Sequence, residues 1–323
     1  MVTLVRATRR SPILTPSSLA CLSALPTINL TAGCAHDCAY CYIQGYSAYP
    51  GQGTVVLYEN TLEKLKMELR RTDRRPTAVF FSPSSDLFQP IPEVLAMAHG
   101  VLELLLREEI GVSILTKGVI PRNTLTLLAQ HADLVRAQIG IITADEALAS
   151  QFEPNAAPAR VRTEQIRQLR DSGISVEARV DPILPGITDG HDSLQALLGR
   201  LAAAGVRKVA ASVLFLRPPI VAALVRDVPT ETSRLLLDAY STQERVQIRT
   251  GKPAIVHALP YARRQEIFGR VRDVAAEHGI SVSICACKNQ DLAAGTCNIA
   301  GNVPRRKAAS RQLQLGACQP TNG

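Results

Sequence analysis

Apolar positions fall into two rhythms that alternate along the chain. Short β-branched and apolar runs at Thr27–Leu30, Ala78–Ser82, Val112–Thr116, Val135–Ile142, Ser175–Val180 and Lys208–Phe215 read as buried strands. Between them, apolar residues recur at helical spacing over Thr61–Arg71, Pro92–Glu108, Arg122–His131, Thr163–Asp171 and Ser193–Ala203. Asn60 and Ser193 stand where helix N-caps belong, and Gly173 and Gly205 where helices stop before the next strand. Repetition of this unit predicts βαβ connections and a parallel sheet, closed as a (β/α)6 barrel or opened as a doubly wound sheet. In either form ligands gather at the C-terminal ends of the strands. After Phe215 the rhythm changes: 217–241 and 260–278 read as helical and Ser281–Cys285 as a last strand. The expected organisation is an N-terminal extension (1–26), the barrel (27–216), a helical extension with a cysteine-rich segment (217–301) and a basic, flexible tail (302–323).

Composition narrows the class. Apolar residues make up 46% of the chain, enough for a sizeable core. No run approaches the roughly eighteen uncharged apolar residues of a membrane span. The basic N-terminus, Met1 to Arg10, is followed by no apolar signal segment, so a cytoplasmic protein is expected. In that compartment eight cysteines point to metal or catalysis rather than disulfides. The net charge of +8 suits a polyanionic partner such as nucleic acid, though cytosolic proteins often carry a similar surplus. With no Trp and only 4% aromatic residues, platforms for stacking unpaired bases are few.

The chemistry concentrates in Gly33-Cys-Ala-His-Asp-Cys-Ala-Tyr-Cys-Tyr42, where Cys34, Cys38 and Cys41 have the spacing C-x3-C-x2-C. Three thiolates this close can hold one iron–sulfur cube by three corners, leaving one iron without a protein ligand. A zinc knuckle would need a fourth ligand, and His36 lies inside the loop, where closing a tetrahedron is awkward. Buried structural cysteine is the plainest alternative. The triplet follows the first strand, at the end where barrel ligands bind.

With an aromatic before its last cysteine, this motif resembles the radical S-adenosylmethionine (SAM) superfamily. The resemblance implies a partial (β/α)6 barrel and a [4Fe–4S] cluster on Cys34, Cys38 and Cys41, with SAM on the open iron. It also implies reductive cleavage of SAM to a 5′-deoxyadenosyl radical, and an external electron donor such as flavodoxin or ferredoxin. Four stretches are similar to the spore photoproduct lyase branch: Cys38-Ala-Tyr-Cys-Tyr-Ile-Gln44, Phe81-Ser-Pro-Ser-Ser-Asp86, Leu115-Thr-Lys117 and Val180 through Asp189.

Carried over residue by residue, Ser85 and Lys117 match positions that hold SAM, with Asp86 orienting its amino group or the nearby backbone. The plain alternatives are a solvated loop lysine for Lys117 and a helix N-cap for Asp86. Arg179, mid-strand, needs a partner: an anion of SAM or substrate, or Glu177 or Asp181 on its own strand face. Gln138 bonds the SAM ribose or is a satisfied core amide. Pro185-Gly186 resembles an adenine-side turn, where backbone meets the base. Tyr40 and Tyr42 match radical-relay tyrosines, against ordinary packing around a cluster. Pro83 stands where the lyase keeps its hydrogen-donor cysteine, which argues against thymine-dimer repair.

Cys285, Cys287 and Cys297, with Cys318 beyond, form a second group. They are open to three readings: an auxiliary iron–sulfur cluster, a radical-relay thiol, or an ordinary reduced set. The expected function is a radical SAM enzyme acting on a small-molecule or peptide substrate. The alternatives are lyase-like repair or modification of a nucleic-acid base, and a non-catalytic iron–sulfur or zinc module that binds nucleic acid.

Overall fold

The computed structural model describes residues 2–17, 22, 25–72, 75–248 and 254–294. The chain begins with four short strands, β1 (Thr3–Ala7), β2 (Thr15–Pro16), β3 (Pro26–Ile28) and β4 (Thr31–Ala32). Next come β5 (Thr54–Tyr58), α1 (Thr61–Arg71), β6 (Ala78–Phe81), α2 (Pro92–Arg107), β7 (Gly111–Thr116) and α3 (Arg122–Gln130). The middle of the chain supplies β8 (Val135–Gly140), α4 (Glu146–Phe152), α5 (Ala159–Asp171), β9 (Ser175–Ile183), α6 (His191–Ala203) and β10 (Lys208–Val213). Two helices, α7 (Pro218–Asp227) and α8 (Thr230–Asp238), precede the hairpin of β11 (Glu244–Ile248) and β12 (Ala254–Ala258). The last described elements are α9 (Tyr261–Glu277) and β13 (Ser281–Ile284).

The main sheet has the order β13-β10-β9-β8-β7-β6-β3-β2. Every pairing from β3 to β13 is parallel, and only β2 runs antiparallel, on β3. The strands are nearly continuous apolar runs (β6 is buried at all four positions), as a sheet covered on both faces requires. Leu22, near the β2 edge, shares a buried cluster with Phe80 of β6, Ala210 of β10, and Cys285 and Cys287 just after β13. Residues from opposite ends of the sheet therefore meet across its interior, and the sheet is a curled partial barrel. Outside, α2 buries Val94, Ala98, Val101, Leu102, Leu105 and Leu106 on one face. Each of these larger side chains contributes about 1.5–3 kcal/mol by leaving water.

All seven expected strands and the five barrel helices form, with ends shifted by a few residues; 217–241 holds two helices, α7 and α8, and 260–278 holds α9. Two expected caps do not form. Asn60 makes no capping bond, because its side-chain oxygen accepts the Arg9 N–H at 2.9 Å. Ser193 lies inside α6, whose N-cap is Gly190. Gly173 (φ +77°) and Gly205 (φ +81°) do end helices in the left-handed region. The stretch expected as an N-terminal extension supplies β1, which pairs with β5 in a small sheet of order β1-β5-β4. The stretch expected as a helical extension also holds the β11–β12 hairpin, and its expected last strand, β13, joins the barrel sheet as a seventh parallel strand. Cys297, Cys318 and the basic tail lie outside the described residues.

Candidate functional site

The cysteine loop leaves β4 at Gly33, whose φ of +79° favours glycine; a Cβ there would lie 2.4 Å from the Thr54 carbonyl. Tight turns then shape it: Asp37 N donates to Cys34 O at 3.3 Å, and Cys41 N to Cys38 O at 3.0 Å. Gln89, fully buried in the loop after β6, latches this segment from one side. Its Oε1 accepts the Ala35 N–H at 2.7 Å. Its Nε2 donates to Thr31 Oγ1 (2.9 Å), Ser85 Oγ (3.0 Å) and Asp86 O (3.0 Å). Ser85 also donates to Gly33 O at 3.1 Å and bonds Thr31 Oγ1.

The other side of the loop rests on the end of α4. Ala39 N donates to Phe152 O at 2.9 Å and Asn155 N to His36 O at 3.4 Å. Glu153, which immediately follows α4, is buried and receives three partners: the Tyr40 hydroxyl, Lys117 Nζ at 3.2 Å and Arg162 Nη2 at 2.5 Å. Burial works against its charge, yet Lys117 and Arg162 hold its pKa at about 2. Lys117 Nζ also lies 5.7 Å from the centre of the Tyr40 ring.

Asp86 ties the ends of β6 and β7 together. It accepts from Phe88 N (2.8 Å), Thr116 Oγ1 (2.7 Å) and Lys117 N (2.9 Å). Gly118 makes this approach possible, since a Cβ there would sit 1.9 Å from Phe88 O. His36 Nε2 lies 3.3 Å from Asp86 Oδ2, and its Nδ1 lies 3.1 Å from Asn155 O. Burial opposes charge on both, but the pairing keeps the pKa of Asp86 low and raises that of His36. Both His36 nitrogens face these oxygens, so His36 does not complete a zinc site.

A cavity of about 280 Å³ occupies the barrel interior. Cys34, Cys38, Cys41, Tyr40, Tyr42, Pro83, Ser85, Asp86, Lys117 and Arg179 all line it. On the far wall stand Asp181, Lys288, Cys285 and Cys287. Arg179 reaches Asp181 Oδ2 through Nε (3.1 Å) and Nη2 (2.8 Å), and Lys288 Nζ lies 2.8 Å from both Asp181 oxygens. Against burial, Lys288 and Arg179 hold the Asp181 pKa low. The Tyr42 hydroxyl donates to Pro83 O.

Burial first, then Asp86, Cys38 and Cys41, push the Cys34 thiol well above its ordinary range. Burial likewise raises Cys38 and Cys41. Such a donor set suits a bound cation, which reverses the penalty and takes the thiolates as ligands. Among the described residues no His, Cys, Asp or Glu group of three converges on one metal ion. Thiolates on an iron–sulfur cube bind separate irons and need no such convergence. The residues fit a cube better than a zinc knuckle.

Two candidates stand away from the cavity lining. Gln138 is buried in β8 with Nε2 3.4 Å from Glu177 Oε2, the core-amide arrangement. Gly186 sits in a turn (φ +75°), where its N–H donates to Asp189 Oδ1 at 2.6 Å. Asp86 is not a helix cap, since α2 is preceded by Ile91. Gln89 and Glu153 were not singled out from sequence; a glutamine before a proline and a glutamate after a short helix carry no local signal.

The radical SAM superfamily model matches residues 28–198, the segment that carries the cysteine loop and strands β6 to β9. The chain belongs to the radical SAM superfamily. An uncharacterized protein of Mycobacterium tuberculosis is 32% identical over 207 residues, which are 60% of this radical SAM chain and 61% of that protein. A protein of Pseudomonas phage M6 named radical SAM Nalpha-GlyT isomerase is 28% identical over 173 residues, 53% of this chain and 35% of that one. Among solved structures, spore photoproduct lyase with bound AdoMet and dinucleoside spore photoproduct superposes with a TM-score of 0.66. The identity is 19%, over 87% of this chain and 81% of that one, a likeness of fold. Among the described residues no helix is long and apolar enough to cross a membrane.

Proposed function

We propose that this chain is a radical SAM enzyme whose [4Fe–4S] cluster sits on Cys34, Cys38 and Cys41 and whose SAM occupies the adjoining cavity. One observation carries the reading. The three thiols open onto the same cavity as Ser85, Asp86, Lys117 and Arg179, at the C-terminal ends of parallel strands. When bound, the cluster supplies the electron that cleaves SAM to methionine and a 5′-deoxyadenosyl radical able to take a hydrogen atom from substrate.

The chain's own residues prepare that step. Glu153 holds the Lys117 ammonium ready for the SAM carboxylate. Asp86 fixes the backbone of Lys117, and Ser85 offers its hydroxyl beside the loop. Arg179 and Lys288 share the single carboxylate of Asp181, so this wall keeps positive charge for an anionic group of SAM or substrate. Phe80, Leu115, Val213 and Phe215 exclude water from the cavity and hold the substrate C–H near the SAM 5′ carbon. Tyr40 and Tyr42 line the same space, where a radical relay would run. Gln138 and Gly186 do not line this cavity.

The substrate in this reading is a small molecule or peptide, because Pro83 offers no S–H where the lyase has its donor. Repair or modification of a nucleic-acid base is the second reading, supported by the +8 charge and the lyase-like fold. An auxiliary cluster on Cys285, Cys287, Cys297 and Cys318 is part of the proposal, as is an external one-electron donor. Anaerobic reconstitution with iron, sulfide, SAM and reductant tests the central claim. Release of 5′-deoxyadenosine supports the enzyme; a loaded cluster that yields none leaves a binding module.

A further inference from the structure

The cysteine loop has two faces. Its inner face presents Cys34, Cys38 and Cys41 to the barrel cavity. Its outer face forms one wall of a separate open cleft of about 430 Å³, lined by Gly33, Ile43 and Tyr46 of the loop region. The opposite wall carries Arg9, Arg10 and Tyr58. Among the described residues no Asp or Glu lines this cleft. The Arg9 guanidinium lies 5.5 Å from the centre of the Tyr58 ring and donates to Asn29 O at 3.1 Å. Arg10 is exposed, and the Lys64 ammonium bonds its carbonyl at 2.7 Å, which adds a third cation at the rim. Tyr46 lines both the cleft and the barrel cavity, and its ring stands edge-on to Tyr42 with 5.7 Å between centres.

Resting on the function proposed above, we infer that this cleft is the docking surface for an acidic one-electron carrier protein. SAM and substrate must fill the inner cavity with water excluded, so the electron has to enter from the loop's other side. The cleft borders the loop on that side, at Gly33 where it begins and at Ile43 and Tyr46 just after it ends. Two arginines on a wall whose described lining holds no carboxylate steer a negatively charged surface and disfavour a positive one. Tyrosine and arginine are also the residues enriched where protein partners seat. The transfer is a single electron from the reduced carrier to the oxidised cluster, with no proton or atom exchanged.

The test uses reconstituted chain and a flavodoxin as the carrier. Arg10→Glu with Thr8→Glu reverses the charge of the cleft at two exposed positions. A control, Arg107→Glu with Gln130→Glu, changes charge by the same three units at the C-terminal ends of α2 and α3, neither of which lines the cleft. Affinity for flavodoxin is measured by calorimetry at low and moderate salt, and cluster reduction by flavodoxin is measured relative to reduction by dithionite. The cleft variant should lose at least about tenfold in affinity and in that rate ratio, and wild-type binding should weaken with salt, while the control stays near wild type. Unchanged affinity in the cleft variant, or an equal loss in the control, overturns the assignment. So does loss of single-stranded oligonucleotide binding in the cleft variant with flavodoxin binding intact, which would make the cleft a nucleic-acid surface. Binding is read independently of catalysis, so a chain that fails to cleave SAM with dithionite refutes the enzyme reading without deciding the docking site.

Discussion

Arg162 and Glu153 form a wholly buried ion pair, 2.5 Å from Nη2 to Oε2, directly under the cysteine loop. The same carboxylate also holds Lys117, so one negative charge is shared by two cations. Removing it leaves both uncompensated in an apolar setting, where breaking a buried pair costs about 3–5 kcal/mol. Glu153→Ala should lower urea stability by that order and weaken iron uptake, because Tyr40 and Ala39 of the loop rest on this segment. An effect below about 0.5 kcal/mol, the range of an ordinary surface change, would show that the pair is not structural.

The same group predicts a pH dependence. The folded pKa of Glu153 is about 2, against an ordinary value of 4.5. A depressed carboxylate contributes stability that is full above the unfolded pKa and is lost as pH falls through the folded one. Asp86 and Asp291 are depressed too, so acid sensitivity of the wild type alone is not diagnostic. The stability gap between wild type and Glu153→Gln should instead be constant above pH 4.5 and shrink between 4.5 and about 2. A gap that stays constant across this window would place the low pKa elsewhere.

Cys34, Cys38 and Cys41 replaced together by Ala should abolish the SAM-responsive cluster. The optical and paramagnetic signals that shift on SAM addition should vanish, along with 5′-deoxyadenosine. Reductive SAM cleavage surviving in the triple variant would refute the site.

Anaerobically reconstituted chain should carry more than about four irons, the content of one cube, if the C-terminal cysteines hold a second cluster. Replacing Cys285, Cys287 and Cys297 by Ala should return the count to about four. Iron near four in both proteins leaves the relay or structural role, for which Cys285 and Cys287 are already placed on the cavity wall.

Spore photoproduct in a dinucleotide should not be reversed efficiently. Pro83, which the sequence resemblance sets against the lyase's donor cysteine, lines the cavity, and its carbonyl is bonded by Tyr42. Weak, salt-sensitive DNA binding should persist from the +8 charge. Catalytic return of thymine with SAM recycled would move base repair to first place, and its loss in Cys285→Ala or Cys287→Ala would name the substitute donor.

Much of this architecture was legible because buried parallel strands and amphipathic helices leave strong periodic traces. Ala78–Phe81 and Thr61–Arg71 stand where those traces place them. The cysteine spacing likewise located one wall of the site. What escaped is what depends on distant partners. β1 has no buried position and no regular alternation, and it is held by pairing with β5, so no local pattern marks it. Arg179 could be assigned an anion but not the choice of Asp181, which is shared with Lys288 from beyond β13. The contact of Gln138 with Glu177, its neighbour across the sheet, is likewise invisible to a reading along one strand.

The position of β13 sets an order of events in the making of this protein. It pairs with β10, yet α7, α8, the β11–β12 hairpin and α9 are all synthesised between them. As the chain leaves the ribosome, the six earlier parallel strands can assemble while β10 still presents an unpaired edge. Throughout that interval the wall bearing Cys285, Cys287 and Lys288 is missing, and the cysteine loop faces open water. Translation itself therefore keeps a side entrance to the nascent cavity, and the arrival of β13 shuts it.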